Sequence, residues 1–470
     1  MRASTQVLVA GGGPAGSVTA GLLARAGLQV TLLEAARFPR YHVGESILPA
    51  CLPVLEQLGA LEKVERHGFV RKLGAWFEWG PQRWELNFDH LSGTDRHSYQ
   101  VVRAEFDQLL LEHAREQGVE VVEGTAVRRV GFDGDRAVGA DWAGEGGAGR
   151  IGFDQLVDAT GRAGVLATRH LDNRRFNEAF RNVAVWGYWR GARPLDRGPA
   201  GAIAVCSVPD GWFWAIPLHD GTLSVGLVTS KVRFAERRTA AAGDLVALYR
   251  AAIAECPRVS ELLGPAELVS GLKVETDYSY VADQFAGPGW LLAGDAACFL
   301  DPLLSTGVHL AMFSGLLGAA SIAAMTREDI GEADARTFYD RAYRQAYERL
   351  LVLVSLLYRS YRREAHLFEA DRLTRRERGM LQLYESFLHV VSGVEDLADA
   401  RESGLDAVAA RLAAGGDVTG HNRAMDALPT SAATSVAGLH LAFDPLGLRR
   451  AGDPGRRDRA GLRTAGEDPQ

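Results

Sequence analysis

Gly11, Gly13 and Gly16 stand at the spacing G-x-G-x-x-G within Gly11-Gly12-Gly13-Pro14-Ala15-Gly16, and the chemistry open to that spacing is the binding of a pyrophosphate. The first glycine allows a tight turn, the second lets backbone approach the phosphates, and the third lets a helix pack closely on a strand. Glu34, followed by Ala35, falls about 20 residues on, where a carboxylate hydrogen-bonds a ribose hydroxyl. A second chemical stretch is Pro302-Leu303-Leu304-Ser305-Thr306-Gly307-Val308. Proline, small hydroxyls and glycine ahead of an apolar run make a helix N-terminus whose free amides suit an anion. Such a site contributes about 0.3–1 kcal/mol when exposed, so the anion is expected to bind weakly. Lys72 lies inside a strand-like run, Gly68 to Gly80, where the pattern alone reads as a solvated face. Trp212 and Trp214 share one side of a strand, where the pattern alone reads as core.

The elements that must position these residues follow from periodicity. Val7 to Ala10 is a short buried strand, Ala20, Leu23 and Ala24 mark a helix, and Val30 to Leu33 is a second strand ending in Glu34. Strand, turn, helix, strand and terminal acid are in register, which predicts an adenine dinucleotide site. Phe38 to Ser46 fits neither period; a loop returning beside the nucleotide would use Glu45 and Ser46 as ligands, and a helix from about Pro49 to Leu58 follows. Arg103 stands just before a helix reaching about Gln117. Val119 to Gly124 reads as a strand, Val127 to Trp142 as a hairpin turning at Asp133-Gly134, and Phe153 to Gly161 as a buried strand. Val183 to Trp189, Ala202 to Val208, Trp212 to Leu218 and Leu223 to Val228 predict an antiparallel sheet. Trp290 to Ala297 is a further buried strand, ending in Gly294-Asp295. Tyr343, Tyr347, Leu350, Val354, Leu357 and Tyr361 form one apolar stripe of a long helix.

Composition narrows the class. The 470 residues carry 52 Lys and Arg against 59 Asp and Glu, a net charge of -7 that argues against nucleic acid as the main partner. Cys51, Cys206, Cys256 and Cys298 are widely spaced with no C-x-x-C, so neither a metal site nor a disulfide framework is expected. A reducing cytoplasm fits. No signal peptide is read at the N-terminus, and the longest later apolar run, Leu350 to Tyr358, is too short to span a bilayer.

Several of these segments resemble one family, the flavin-dependent halogenases. The H-V-G-E-S of His42 to Ser46 is similar to a loop that lies along FAD there and in related monooxygenases and prenyl reductases. K-x-G-x-x-F-x-W-G, from Lys72 to Gly80, resembles the segment whose lysine is essential for halogenation, and W-x-W-x-I-P, from Trp212 to Pro217, resembles the family's diagnostic motif. R-x-x-F-D from Arg103, A-T-G at Ala159 to Gly161, Gly294-Asp295 and the Ser305-Thr306-Gly307 turn match its flavin and halide segments. The resemblance implies that FAD is held by Gly11, Gly13, Pro14, Ala15, Gly16, Glu34, Ala35, Arg40, Gly44, Glu45, Ser46, Arg103, Asp295, Pro302, Gly307 and Val308. It implies chloride or bromide at Ser305, Thr306 and Gly307, and Trp212, Trp214, Ile216 and Pro217 as a wall between flavin and substrate. Lys72 would be catalytic, receiving hypohalous acid made from halide and O2 at reduced FAD; burial among Phe69, Trp76, Phe77 and Trp79 would lower its pKa. No second glycine motif opens a nicotinamide unit, which suits FADH2 delivered by a separate flavin reductase.

One departure bears on the substrate. Family members acting on free tryptophan carry a glutamate directly before S-T-G, whereas this chain has Leu304. The loss points to phenols or pyrroles, which activate their own rings and often arrive tethered to a carrier protein. Arg359, Arg362, Arg363, Arg372, Arg375 and Arg376 make a basic stretch, either a solvated helix face or a dock for an acidic carrier. The rival readings are an FAD aromatic hydroxylase, a prenyl or enoyl reductase, and a flavoprotein that only binds a partner. The expected fold is α/β: an FAD-binding Rossmann-like domain of monooxygenase type in two parts (1–166 and 287–330), an inserted antiparallel β substrate domain (167–286), a helical C-terminal region (331–448) and a disordered tail (449–470).

Overall fold

The computed structural model describes residues 2–91, 96–359, 383–402, 405, 436 and 438–451. Apolar strands Ser4–Ala10 and Val30–Glu34, joined by helix Pro14–Arg25, start a sheet that is parallel from Trp290–Leu292 through Gly147–Asp158, Ser4–Ala10 and Val30–Glu34 to Glu120–Glu123. Strands buried on both faces are the rule in such sheets, and Val7 to Ala10 with Val30 to Glu34 follow it. The hairpin expected at Asp133-Gly134 forms from Thr125–Asp133 and Arg136–Gly144.

A second sheet of nine strands runs in the order Cys298–Phe299, Lys273–Ala282, Arg174–Arg190, Thr222–Ser230, Gly211–Pro217, Ile203–Val208, Gly74–Trp79 and Gln82–Asn87, with Glu267–Leu268 on the side of Arg174–Arg190. Period two sorts its faces. Trp186, Trp212, Trp214 and Ile216 point into the main core, while Val185, Phe213, Ala215 and Leu227 pack on Tyr249 and Val259 in a second core.

Three features correct the sequence expectation. The sheet is not confined to 167–286 and is not wholly antiparallel, because Gly74–Trp79 pairs parallel with Ile203–Val208. The inserted region also holds helices Lys231–Ala240, Leu245–Ala254 and Pro257–Leu263, which cover the second core. The C-terminal region is not all helix: Leu439–Phe443 and Leu446–Arg450 form a hairpin, so ordered strand passes the boundary set at 449.

Helix Thr306–Thr326, not Leu350 to Tyr358, is the long apolar segment: within its 21 residues an 18-residue stretch has a mean hydropathy of 1.7, long and apolar enough to cross a membrane by length and composition. In the fold 94 % of that stretch is buried, against Pro14–Arg25 and the helix Glu332–Arg359. The latter buries the expected stripe of Tyr343, Tyr347, Leu350, Val354 and Leu357. Tyr361, the basic residues Arg362, Arg363, Arg372, Arg375 and Arg376, and 452–470 of the tail lie outside the described residues.

Candidate active site

The two sheets meet over one cavity of about 490 Å³. Its wall includes both the glycine turn with Glu34 and the residues Trp212, Trp214 and Ile216. Gly11 has φ of +104°, and a Cβ there would lie 2.2 Å from the carbonyl oxygen of Ala159; one on Gly16 would lie 1.9 Å from that of Gly11. Only glycine lets strand, turn and helix close in this way. Gly13, Pro14, Ala15 and Ala35 line the cavity, whereas Gly16 works behind the wall. The Glu34 carboxylate accepts from the amides of Gly12 (2.6 Å) and Ala36 (2.7 Å), which fixes its head at the cavity edge.

Arg40, Gly44, Glu45, Ser46, Arg103, Asp295, Pro302, Gly307 and Val308 also line the cavity. Arg103 is built into the loop it faces: it pairs bidentately with Asp107 (2.8 and 3.0 Å) and donates to the carbonyls of Val43 (2.6 Å) and Gly44 (3.3 Å). Burial would raise the Asp107 pKa, but Arg103 outweighs it and holds the carboxyl below its usual value; Asp107 also meets Arg40 at 3.2 Å. Burial raises the pKa of Asp295, opposed by Arg162, Arg103 and Arg174. Burial likewise raises that of Glu45, which accepts from Tyr188 (2.6 Å); Tyr188 in turn meets Tyr41 at 3.0 Å, and Tyr41 accepts from Trp186 Nε1 at 2.6 Å.

Ser305 adopts φ of +59° and turns the chain into helix Thr306–Thr326. Ser305, Thr306 and Gly307 all face the cavity, nothing stands within 4 Å of the Cβ direction of Gly307, and the buried Thr306 Oγ1 has no hydrogen-bond partner. A buried orphan hydroxyl beside free amides fits an anion as its missing partner.

The tryptophans form a layer: the ring centroids of Trp212 and Trp214, and of Trp214 and Trp186, are 6.1 Å apart. Gly226 makes room, since a Cβ there would lie 2.1 Å from the Trp214 ring. Trp212 Nε1 donates to Tyr358 Oη (2.8 Å), which donates to Asp301 Oδ2 (3.0 Å), while Asp301 Oδ1 accepts from the Leu303 amide (2.9 Å). One chain of hydrogen bonds thus ties the layer to the turn that ends at Ser305. Pro217 closes its strand outside the cavity lining, which removes it from the expected wall.

Lys72 ends the strand Val70–Lys72 and is only 2 % exposed, which overturns the solvated-face alternative. It does not line the cavity. Its ammonium donates to Ser46 Oγ (2.8 Å) and the Ile47 carbonyl (3.1 Å), and Ser46 is in the cavity wall. Phe88, absent from the four aromatics expected around the amine, presents its ring 5.5 Å away. Burial pushes the Lys72 pKa down to about 7.

Sequence reasoning missed Tyr358, Asp301, Trp186, Asp107 and Arg128. Asp107 was visible inside R-x-x-F-D, and Asp301 as the residue before Pro302. Arg128 and Trp186 reach the cavity from ordinary strands and carry no local signal.

The family model described as tryptophan halogenase matches residues 6–96 and 89–410. The chain belongs to the tryptophan halogenase family. It is 44 % identical over 410 residues, 85 % of this chain and 78 % of the relative, to a tryptophan 2-halogenase of Chondromyces crocatus. With the sulochrin halogenase of Aspergillus terreus it shares 39 % over 385 residues, 77 % of this chain and 70 % of that one. The solved structure of the myxobacterial chondrochloren halogenase, an FAD-dependent enzyme, superposes with a TM-score of 0.72 at 33 % identity, covering 86 % of this chain and 99 % of that one. This family member is a flavin-dependent halogenase, an oxidoreductase that takes FAD, O2, a halide and an aromatic substrate, with reduced flavin supplied by a reductase.

Proposed function

We propose that the enzyme halogenates an electron-rich phenol or pyrrole held on a carrier protein, with Lys72 as the residue that delivers the halogen. The flavin, when bound, supplies the oxidation of halide by O2. The reading rests on one observation: the Ser305-Thr306-Gly307 turn, the tryptophan layer and Ser46, the partner of Lys72, share the wall of one cavity. The amides of Thr306 and Gly307 and the Thr306 hydroxyl hold the halide, and Trp212, Trp214 and Ile216 keep organic substrate off the flavin. Lys72, poised near neutrality beside Ser46 of the cavity wall, offers a free amine to hypohalous acid.

Leu304 supports the substrate class. It is buried and apolar where a carboxylate would steady a cationic indole, and Asp301 is already engaged by Leu303, Asn182 and Tyr358. A phenol or pyrrole has no need of that carboxylate. The 44 % relative named a tryptophan 2-halogenase favours a second reading, an indole substrate. Incubation with FAD, a flavin reductase, chloride and free or carrier-bound phenols, pyrroles and tryptophan, followed by mass spectrometry, separates them. A chlorinated carrier-bound phenol or pyrrole is the expected product. Chlorotryptophan alone selects the indole, and hydroxylated product in excess chloride discards the proposed roles of Lys72 and the tryptophans.

A further inference from the structure

A cluster of possible metal ligands lies apart from the cavity lining. His67 is the last residue of helix Leu61–His67, Glu105 is in the first turn of helix Arg103–Glu116, and His219 follows strand Gly211–Pro217 in the turn before Thr222–Ser230. Their ligand atoms all lie within 4.8 Å of one another. His67 Nε2 is 2.7 Å and His219 Nε2 3.1 Å from the same oxygen, Glu105 Oε2. The buried ring of Phe69 holds both imidazoles, stacking on His67 at 4.2 Å and meeting His219 edge-on at 5.2 Å. Nδ1 of His219 has no hydrogen-bond partner, so no polar contact on its far side turns the ring away.

We propose that His67, Glu105 and His219 bind a zinc ion. Two imidazole nitrogens and one carboxylate oxygen are the donors of three-ligand zinc sites that leave the fourth position to water, at about 2.0–2.2 Å from the metal. Imidazole donors also favour zinc over magnesium or calcium, which prefer oxygen. Ligands at such distances spread their donor atoms to roughly 3.3 Å in a tetrahedron, so outward shifts of a few tenths of an ångström at partly exposed side chains admit the ion. The absence of a C-x-x-C is no obstacle: the three ligands come from segments far apart in sequence, and the fold assembles them.

The placement gives the ion a structural task. Each ligand sits close in sequence to a residue of the candidate active site: His67 precedes Lys72 by five residues, Glu105 follows Arg103 by two, and His219 follows Ile216 by three. Zinc would clamp the lysine strand, the arginine helix and the tryptophan strand to one another from outside the cavity.

The test uses the full chain, stripped with chelator and titrated with zinc alone by calorimetry. One equivalent per chain is expected, with a rise in Tm on zinc addition. His67→Gln, which keeps a side-chain amide donor for Glu105, and His219→Ala should each weaken zinc binding at least about tenfold, the scale for disturbing even an outer-shell partner. Both should also lose the zinc-dependent rise in Tm while still binding FAD. Failure of the wild-type chain to take up zinc at micromolar concentration overturns the proposal, and so does uptake with affinity unchanged in both variants.

Discussion

Lys72 Nζ lies 2.8 Å from Ser46 Oγ, and it is Ser46, not the lysine, that meets the cavity. The hydroxyl therefore stands between the amine and the cavity, whose wall also includes the turn proposed to hold halide. Lys72→Ala should reduce chlorinated product to background while the protein still binds FAD, read by product analysis beside flavin absorbance. Ser46→Ala leaves the buried amine one partner short, a loss of about 1–3 kcal/mol, and should lower chlorination by roughly ten- to a hundredfold. Normal chlorination by Lys72→Ala would remove the lysine from the mechanism.

The same burial fixes a pH signature. With a folded pKa of about 7 against an unfolded value of about 10.4, the unfolded chain binds more protons between those two values. Stability contributed by this site therefore rises with pH across that window. The penalty of the buried amine is full below about pH 7 and fades as pH approaches about 10. Lys72→Met removes it, so denaturant unfolding should find that variant more stable at neutral pH, with the gap to wild type closing as pH rises. Chlorination by the free amine should increase through pH 7, provided the reductase is kept saturating.

At the turn proposed to hold halide, Thr306→Val replaces the orphan hydroxyl by a methyl of similar shape. Losing one hydrogen bond to chloride is worth about 0.5–1.5 kcal/mol. The halide KM should rise roughly three- to tenfold with kcat little changed, in steady-state assays over a chloride series. Stability should hold or improve slightly, because an unsatisfied buried group is gone.

Tyr358 joins the tryptophan layer to the Asp301 turn, and Tyr358→Phe cuts the link on both sides. Leaving Trp212 Nε1 and an Asp301 oxygen short of a partner should cost about 1–3 kcal/mol, seen as a lower unfolding midpoint. More hydrogen peroxide should appear per chlorinated product as layer and turn lose register.

Gly226→Ala drives a methyl into the Trp214 ring. Overpacking of this kind costs about 1–3 kcal/mol, and Trp214 must tilt. A lower Tm with shifted tryptophan fluorescence is expected, and an unperturbed variant would mean that the ring is not held as described.

What the sequence reveals and what it hides divide along contact distance. The glycine turn, Glu34 and the Ser305 turn are legible because each works through its own neighbours. The helices of the inserted region also carry local marks, Asp244 capping Val246 and Ala247 and Pro257 at a first helical position, yet alternating strands on either side mask them. Ser46, Ile47 and Phe88 around Lys72 were beyond reach, since the loop and the short helical turn that supply them meet the lysine only in the fold. Tyr358 shows in the sequence only as the end of the apolar run from Leu350, and its distant partners Trp212 and Asp301 give it meaning.

The parallel pairing of Gly74–Trp79 with Ile203–Val208 has a consequence for anyone recombining these enzymes. Transplanting the inserted region alone would strip the ribbon off its border and leave a bare backbone rim, an invitation to aggregation. A workable chimera must exchange 70–87 together with 174–282, so that amine and indoles travel as one cassette.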